Sequence, residues 1–408
     1  MSLKKFENFL KFNEKACNFC GLCFHKCPSM SLPLEFAKKE IESIIKTGKS
    51  KKVLKNCVGC MSCNHYCPNH CAPYALIIKR WNEKYYKYGL PNRAKIILTL
   101  PYKMPYIHSF IISKLPKEEL EWIKNWKENI KNPECKETMI YAGCNLLIQP
   151  YILQSILFEK QTIFGSTEFC CGEPLYRSGC FEGHELIARN LKKQLERIGF
   201  KTLILPCLAG YNMFKYVYEK KFGIKMNFEA ISIIDWLWDE LNTSKYEITP
   251  LNITAAVHDN CWAKASGDYF FNKVRDILEL CCVKVIELEH TREDALCCGL
   301  SAACANYSIF PLLKHAKIRL KEFKKSKADV IVDYCGGCNW IFQVANTFSL
   351  RKKTKQPIYT LIEIIQMAIG EIPSDKSKTR GKLIIKALLG KIIRSYLSRK
   401  RYFIEDLC

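Results

Sequence analysis

The sequence predicts an α+β protein of several domains: a small helical unit, followed by two duplicated α/β repeats. Three observations predict it. Up to Pro68 stand two dense cysteine runs of one form, separated by a lysine- and glutamate-rich stretch, Leu34 to Lys55, with Ile41, Ile44 and Ile45 at helical spacing. Further on, short apolar runs (Thr202 to Leu205, Val330 to Val332) alternate with helical stretches (His184 to Ile198, Ile309 to Phe323), the order of α/β units with parallel strands. A cysteine, a Cys-Cys-Gly and a further cysteine then occur twice at nearly equal spacing, as Cys144, Cys170, Cys171, Cys207 and as Cys261, Cys297, Cys298, Cys335, a period of about 120 residues.

Five stretches follow in order. Residues 1–85 hold both runs and the intervening helix. Residues 86–135 form a linker: Pro91, Pro101, Pro105 and Pro116 interrupt it, and Lys117 to Ile130 is a short amphipathic helix that joins domains rather than doing chemistry. Residues 136–245 and 250–370 are the repeats, each opening on an apolar strand that leads to its first cysteine (Thr138 to Cys144, Ile253 to Cys261). Residues 371–408 begin with a polar break and continue as a basic helix, with Ile384, Ile385, Leu388, Leu389, Ile392 and Tyr396 on one face and Lys382, Lys386, Lys391 and Arg394 around it. Such a helix lies on the inner membrane face, against a partner protein, or packed on its own chain with a solvated outer side.

Composition narrows the chemistry. A chain of 408 residues, 48% apolar, has enough material for two or three cores, so its 24 cysteines are not needed as disulfide staples. Met1 to Lys15 is polar and lysine-rich, unlike a secretory leader, so a cytoplasmic protein is expected, where clustered thiols are metal ligands or redox groups. No run of about 18 uncharged apolar residues offers a spanning helix. The net charge of +23 comes from lysines scattered along amphipathic stretches without interleaved aromatics, which excludes nucleic acid as the partner. Ligating thiolates offset part of that charge.

The first run reads Cys17-x-x-Cys20-x-x-Cys23-x-x-x-Cys27-Pro28 and the second Cys57-x-x-Cys60-x-x-Cys63-x-x-x-Cys67-Pro68. This is the bacterial ferredoxin spacing for [4Fe–4S] ligation. Two intervening residues let three successive thiolates point at one centre, while the fourth cysteine reaches the other cluster. One cubane then uses Cys17, Cys20, Cys23 and Cys67, and the other Cys57, Cys60, Cys63 and Cys27. Zinc is the alternative for Cys-x-x-Cys pairs, but two intact four-cysteine runs with Cys-Pro endings favour iron–sulfur. Cys71, His65 and His70 beside the second run are expected to be surface groups or neighbours of the ligands.

The second repeat is complete: His258-Asp259-Asn260-Cys261, Cys297-Cys298-Gly299 and Cys335-Gly336-Gly337-Cys338. With this pattern the carboxyl half resembles the CCG cysteine-rich domain family. Two ferredoxin runs ahead of two such repeats are similar to the layout of the catalytic D-type components of heterodisulfide reductases, and of the iron–sulfur components of glycolate oxidase and anaerobic glycerol-3-phosphate dehydrogenase. The resemblance implies a non-cubane [4Fe–4S] cluster held by Cys261, Cys297, Cys298, Cys335 and Cys338, at which a small-molecule disulfide is reduced. Five thiolates exceed the four irons of a cubane, and the adjacent Cys297 and Cys298 suit a more open assembly. Gly299, Gly336 and Gly337 let the backbone approach it or take positive φ. His258 and Asp259 either orient the site or supply protons, with core hydrogen bonding as the plainer role.

The first repeat has Cys144, Cys170, Cys171 and Cys207, but Gly210 stands where the last cysteine belongs. Four thiolates suit zinc or a further iron–sulfur cluster, with Cys180 a substitute ligand, and an empty first site is the alternative. Cys71, Cys135, Cys180, Cys281, Cys282, Cys304 and Cys408 remain as ordinary thiols. The expected function is an oxidoreductase subunit that passes electrons through two cubanes to the second-repeat site. The alternative is the electron-transfer component of a flavin-dependent glycolate, lactate or glycerol-3-phosphate dehydrogenase that delivers electrons to quinone. No flavin or nicotinamide fingerprint appears, so either reading calls for a partner, a flavoprotein or a membrane cytochrome.

Overall fold

Each repeat folds around a parallel sheet whose strands are apolar enough to be covered on both faces. The computed structural model describes residues 9–101, 103–131, 137–348, 354–374 and 376–407. In chain order its strands are β1 (Leu90–Pro91), β2 (Thr138–Tyr141), β3 (Thr162–Phe164), β4 (Thr202–Leu205), β5 (Glu229–Ser232), β6 (Ile253–His258), β7 (Val283–Val285), β8 (Val330–Asp333), β9 (Ile358–Thr360) and β10 (Arg401–Tyr402). One sheet has the order β3-β2-β4-β5 and the other β7-β6-β8-β9, with parallel pairing throughout. In both, the chain runs from the first strand to one edge and returns on the other side, so the direction reverses between β2 and β4 and between β6 and β8. A crevice opens beyond the carboxyl ends of the strands at such a point. Cys144 and Cys207 follow β2 and β4 there, and Cys261 and Cys335 follow β6 and β8.

The amino-terminal unit is helical. Helix Leu34–Thr47 buries Ala37, Ile41, Ile44 and Ile45 in the same core as Ile77, Ile78 and Trp81 of helix Pro73–Tyr88. Glu40, buried on the inner side of the first of these helices, accepts from Ser50 Oγ at 2.6 Å and from the backbone N–H groups of Lys51, Lys52 and Val53 at 2.8, 3.0 and 2.9 Å. Burial opposes its charge, yet these four donors hold its pKa below the usual carboxylate range. They fix the loop that leads into the second cysteine run.

The 86–135 stretch is more than a connector. Leu90, Ala94, Ile96, Leu98, Ile107 and Ile111 are buried, and both the turn Asn92–Ile96 and helix Tyr106–Ile112 pack on helix Ser377–Leu397. That carboxyl-terminal helix also packs on helix Gly336–Phe348 and turns Ile384, Ala387 and Leu388 inward. The packed alternative therefore describes it: its apolar stripe covers side chains that the proline-broken linker leaves without partners, while Lys382, Lys386 and Leu389 stay outside. The side chains of Lys391 and Ile392, together with Cys135 and Cys408, lie outside the described residues. Antiparallel pairing of β10 with β1 ties the same two segments again. Among the described residues no helix is long and apolar enough to cross a membrane.

One buried ion pair locks this arrangement. Arg380 and Glu119 (helix Lys117–Lys131) are almost completely buried and meet at 2.5 Å, with Lys376 Nζ 3.1 Å from the second carboxylate oxygen. Removing one member strands the other in a dry site. Arg380→Met should cost about 3–5 kcal/mol in denaturant unfolding, and Glu119→Leu added to it should restore most of that loss. In the amino-terminal unit, Glu40→Ala removes the acceptor of four hydrogen bonds and should lower stability by roughly 2–3 kcal/mol, read as a lower urea midpoint.

Candidate metal centres

Both cysteine runs curl through left-handed backbone, at Phe19 (φ 57°) and Gly21 (φ 73°) in the first and at Gly59 (φ 67°) and Met61 (φ 69°) in the second. At Gly21 a Cβ would stand 2.6 Å from the Lys38 backbone nitrogen, so only glycine fits. Folding brings Cys17, Cys20 and Cys23 to Cys67, and Cys57, Cys60 and Cys63 to Cys27, close enough that the negative forms within each set repel. The first set lines a small cavity together with Cys71, which is buried and whose N–H donates to Cys67 Sγ at 3.3 Å. Burial pushes the Cys23, Cys57 and Cys63 thiols up and Cys27 to about 12, and neighbouring sulfurs add to the shift. Four enclosed thiols whose thiolates repel one another fit a cationic metal group, which removes that penalty.

Beyond the two sheets the sulfurs form hydrogen-bonded groups. Cys298 accepts from Cys297, Cys338 and His258, which hold its pKa well below the usual thiol range. Cys170 is lowered in the same way by Cys144, Cys171 and Thr99, whose Oγ1 lies 3.2 Å from it. Cys335 accepts from Cys338 and, across the repeats, from Cys207. Cys207 therefore stands between the two groups, near Cys144 and Cys171 of the first and in contact with Cys335 of the second. Gly210 leaves that wall of the first group open, since a Cβ there would meet only Leu205 at 3.5 Å. Cys180 does not substitute: it is buried against Tyr85 and Gly183. At Gly299 (φ 101°) a Cβ would collide with the Leu312 carbonyl at 2.3 Å, whereas Gly336 and Gly337 give room for Asn145.

Both groups open on one cavity of about 1340 Å³, solvent at its mouth included. Cys144, Cys171 and Cys207 line it from the first repeat, and Cys261, Cys298, Cys335 and Cys338 from the second. Leu146, Leu205, Trp262, Leu312 and Trp340 of the repeats also face it, and the linker and the carboxyl-terminal helix add Ile96, Ile97, Ile107 and Leu388. His108 lines it too, buried, its Nε2 3.4 Å from Asn145 Oδ1. No motif marks these linker residues in the sequence.

Arg177 joins the three units. Its helix, Glu173–Arg177, begins directly after Cys170-Cys171-Gly172. The buried guanidinium donates to Gly59 O in the second cysteine run (2.6 Å), to Cys261 Sγ (3.3 Å) and to Glu173, and its carbon lies 5.1 Å from the Trp262 ring centroid. Burial pushes the Cys261 thiol to about 11, with the Arg177 charge opposing a larger rise. Nearby, buried Lys264 donates to Ser62 Oγ (2.7 Å) and Ala295 O (2.8 Å), tying the second run to the loop ahead of Cys297. Asp259 is a structural anchor: both oxygens accept from Arg275 (3.2 and 3.0 Å), and Tyr334 and the Arg292 N–H add bonds of 2.9 and 2.8 Å. His258, kept neutral by burial, orients Cys298.

Known proteins carry the same parts. The family described as a cysteine-rich domain, CCG, matches residues 151–215 and 255–343, and the 4Fe-4S dicluster domain matches residues 9–68. The D-type component of dihydromethanophenazine:CoB--CoM heterodisulfide reductase from Methanosarcina barkeri is 24% identical over 283 residues, 66% of this chain and 66% of that protein. The EtfAB:quinone oxidoreductase of Syntrophomonas wolfei is 22% identical over 303 residues, 66% of this chain and 40% of that one. An uncharacterized iron-sulfur protein of Methanococcus maripaludis is 21% identical over 404 residues, 90% of this chain and 76% of its own length. This chain is therefore an oxidoreductase-related iron–sulfur protein that joins a 4Fe-4S dicluster domain to a cysteine-rich CCG domain.

Proposed function

We propose that the chain conducts electrons from its amino-terminal unit into the shared cavity and reduces a disulfide there. The observation that carries this reading is the opening of both cysteine groups on one cavity, with Cys207 and Cys335 in contact across it. The two sets Cys17, Cys20, Cys23, Cys67 and Cys57, Cys60, Cys63, Cys27 would hold cubanes. Cys261, Cys297, Cys298, Cys335 and Cys338 would hold the cluster nearest the substrate, while Cys144, Cys170, Cys171 and Cys207 would hold zinc or a further iron–sulfur group. When bound, these groups supply one-electron storage.

The chain's own residues do the rest. Val58 O faces Cys297 Sγ at 3.8 Å, and Val58, Cys60, Cys297 and Ala302 pack in one small apolar cluster, so the second cysteine run touches the Cys-Cys-Gly directly. Arg177 couples the charge on Cys261 to the backbone of that run. The apolar walls exclude water around the reacting sulfurs, and each disulfide takes two electrons and two protons to give two thiols. Those same walls favour a second reading, in which the acceptor is a quinone and a flavoprotein partner supplies the electrons.

Viologen-reduced holoprotein should yield two thiols per disulfide consumed, and Cys298→Ser should lower that rate at least roughly tenfold while the cubane spectra of the amino-terminal unit persist. Reduction of an alkyl quinone without any thiol release would sink the first reading in favour of the second. Arg177→Met should move the midpoint potential of the centre at Cys261 down by roughly 50 mV or more, since a lost hydrogen bond to a charged sulfur is worth about 1.5 kcal/mol. An unchanged potential removes Arg177 from that role.

A further inference from the structure

A second groove, of about 1360 Å³ with the solvent at its mouth included, runs between the amino-terminal unit and the second repeat. Met30, Lys52 and Lys55 line one side, and Phe310, Lys314 and His315 the other. Val58 and Ala302 line it as well, and these two pack with Cys60 and Cys297. The groove thus lies over the point where the second thiol set meets the Cys-Cys-Gly.

Its chemistry has one sign. Lys52, Lys55 and Lys314 are exposed, and among the described residues none of them is ion-paired and no carboxylate lines the groove. Phe310 is 63% exposed, beside half-buried Met30, so an apolar contact sits within the ring of positive charge. Exposed lysines are ordinary on a chain of net charge +23. Three without a carboxylate partner around an exposed phenylalanine, above buried thiols, are a different arrangement. Of these, Lys52 also has its Nζ 5.4 Å from the Phe36 ring centroid. A small anion would leave Phe310 and Met30 uncovered, whereas a protein surface covers both.

We propose that this groove seats an acidic electron-carrier protein, whose carboxylates around a surface redox centre meet Lys52, Lys55 and Lys314 and whose apolar rim covers Phe310. The inference rests on the reading that Cys27, Cys57, Cys60 and Cys63 hold a redox group. On each docking the carrier loses one electron and this chain gains one, so a two-electron turnover takes two dockings. Charge complementarity of this kind steers encounter and is screened by salt.

Binding of an acidic ferredoxin to the intact holoprotein, followed by calorimetry, tests it without any turnover. Kd should rise at least about tenfold between roughly 20 mM and 300 mM salt, and by a similar factor at low salt in the variant Lys55→Glu/Lys314→Glu. The charge-matched variant Lys193→Glu/Lys284→Glu, whose residues lie outside the groove, should stay within about twofold of the parent. Equal Kd values for the parent and the groove variant, or affinity that ignores salt, overturn the proposal. Iron analysis of the same samples is independent: a parent without iron would sink the reading of the thiol sets, while the docking measurement stands on binding alone.

Discussion

A guanidinium buried where three parts of the chain meet is the constraint on which the rest depends. Arg177 is 2% exposed, and a cation that deep is tolerated only when it is paired and hydrogen-bonded. Its partners are the carbonyl of Gly59, the sulfur of Cys261 and the carboxylate of Glu173, which Trp262 also binds at 2.7 Å. One side chain thereby fixes the distance between the second cysteine run and both repeats. Hydrophobic packing could hold these units together at many offsets; a buried charge with a partner at each of its three nitrogens restricts them far more. This junction, with the bonds of Lys264 to Ser62 and Ala295, holds the second cysteine run against the Cys-Cys-Gly of the second repeat.

Much of this was legible in the sequence, because thiol spacing and strand periodicity are local. The two runs, the alternation of apolar and helical stretches and the cysteines at the ends of β2, β4, β6 and β8 all follow from short-range pattern. What stayed hidden depends on long-range pairing. Nothing near Cys207 marks Cys335 as its neighbour, and proline-broken segments such as 91–116 carry no periodicity from which burial could be read. Arg177 looks like any basic residue on a short helix until Gly59 and Cys261 arrive from far along the chain. For Asp259 the plainer of the two roles open in the sequence, core hydrogen bonding, is the one seen: Arg275, Tyr334 and Arg292 occupy its oxygens.

The linker and the carboxyl-terminal helix show how a cavity can be apolar yet lined by sulfur. The repeats supply the cysteines at the carboxyl ends of their strands, together with apolar side chains such as Leu146, Leu205, Trp262 and Trp340. Ile96, Ile97, Ile107 and Leu388 complete the wall from segments outside both sheets. The charges that hold these segments, Arg380, Glu119 and Lys376, form a group of their own, and none of the three lines the cavity. The sulfurs that line the cavity come from the repeats, while its enclosure is shared between the repeats and these outer segments.

The placement of Leu388 also bears on assembly. The helix that carries it follows both sheets in the order of synthesis, and β10, which clasps β1, follows that helix. On a growing chain every cysteine up to Cys338 emerges before this wall does. That side of the thiol cavity therefore closes only once the helix carrying Leu388 has been made.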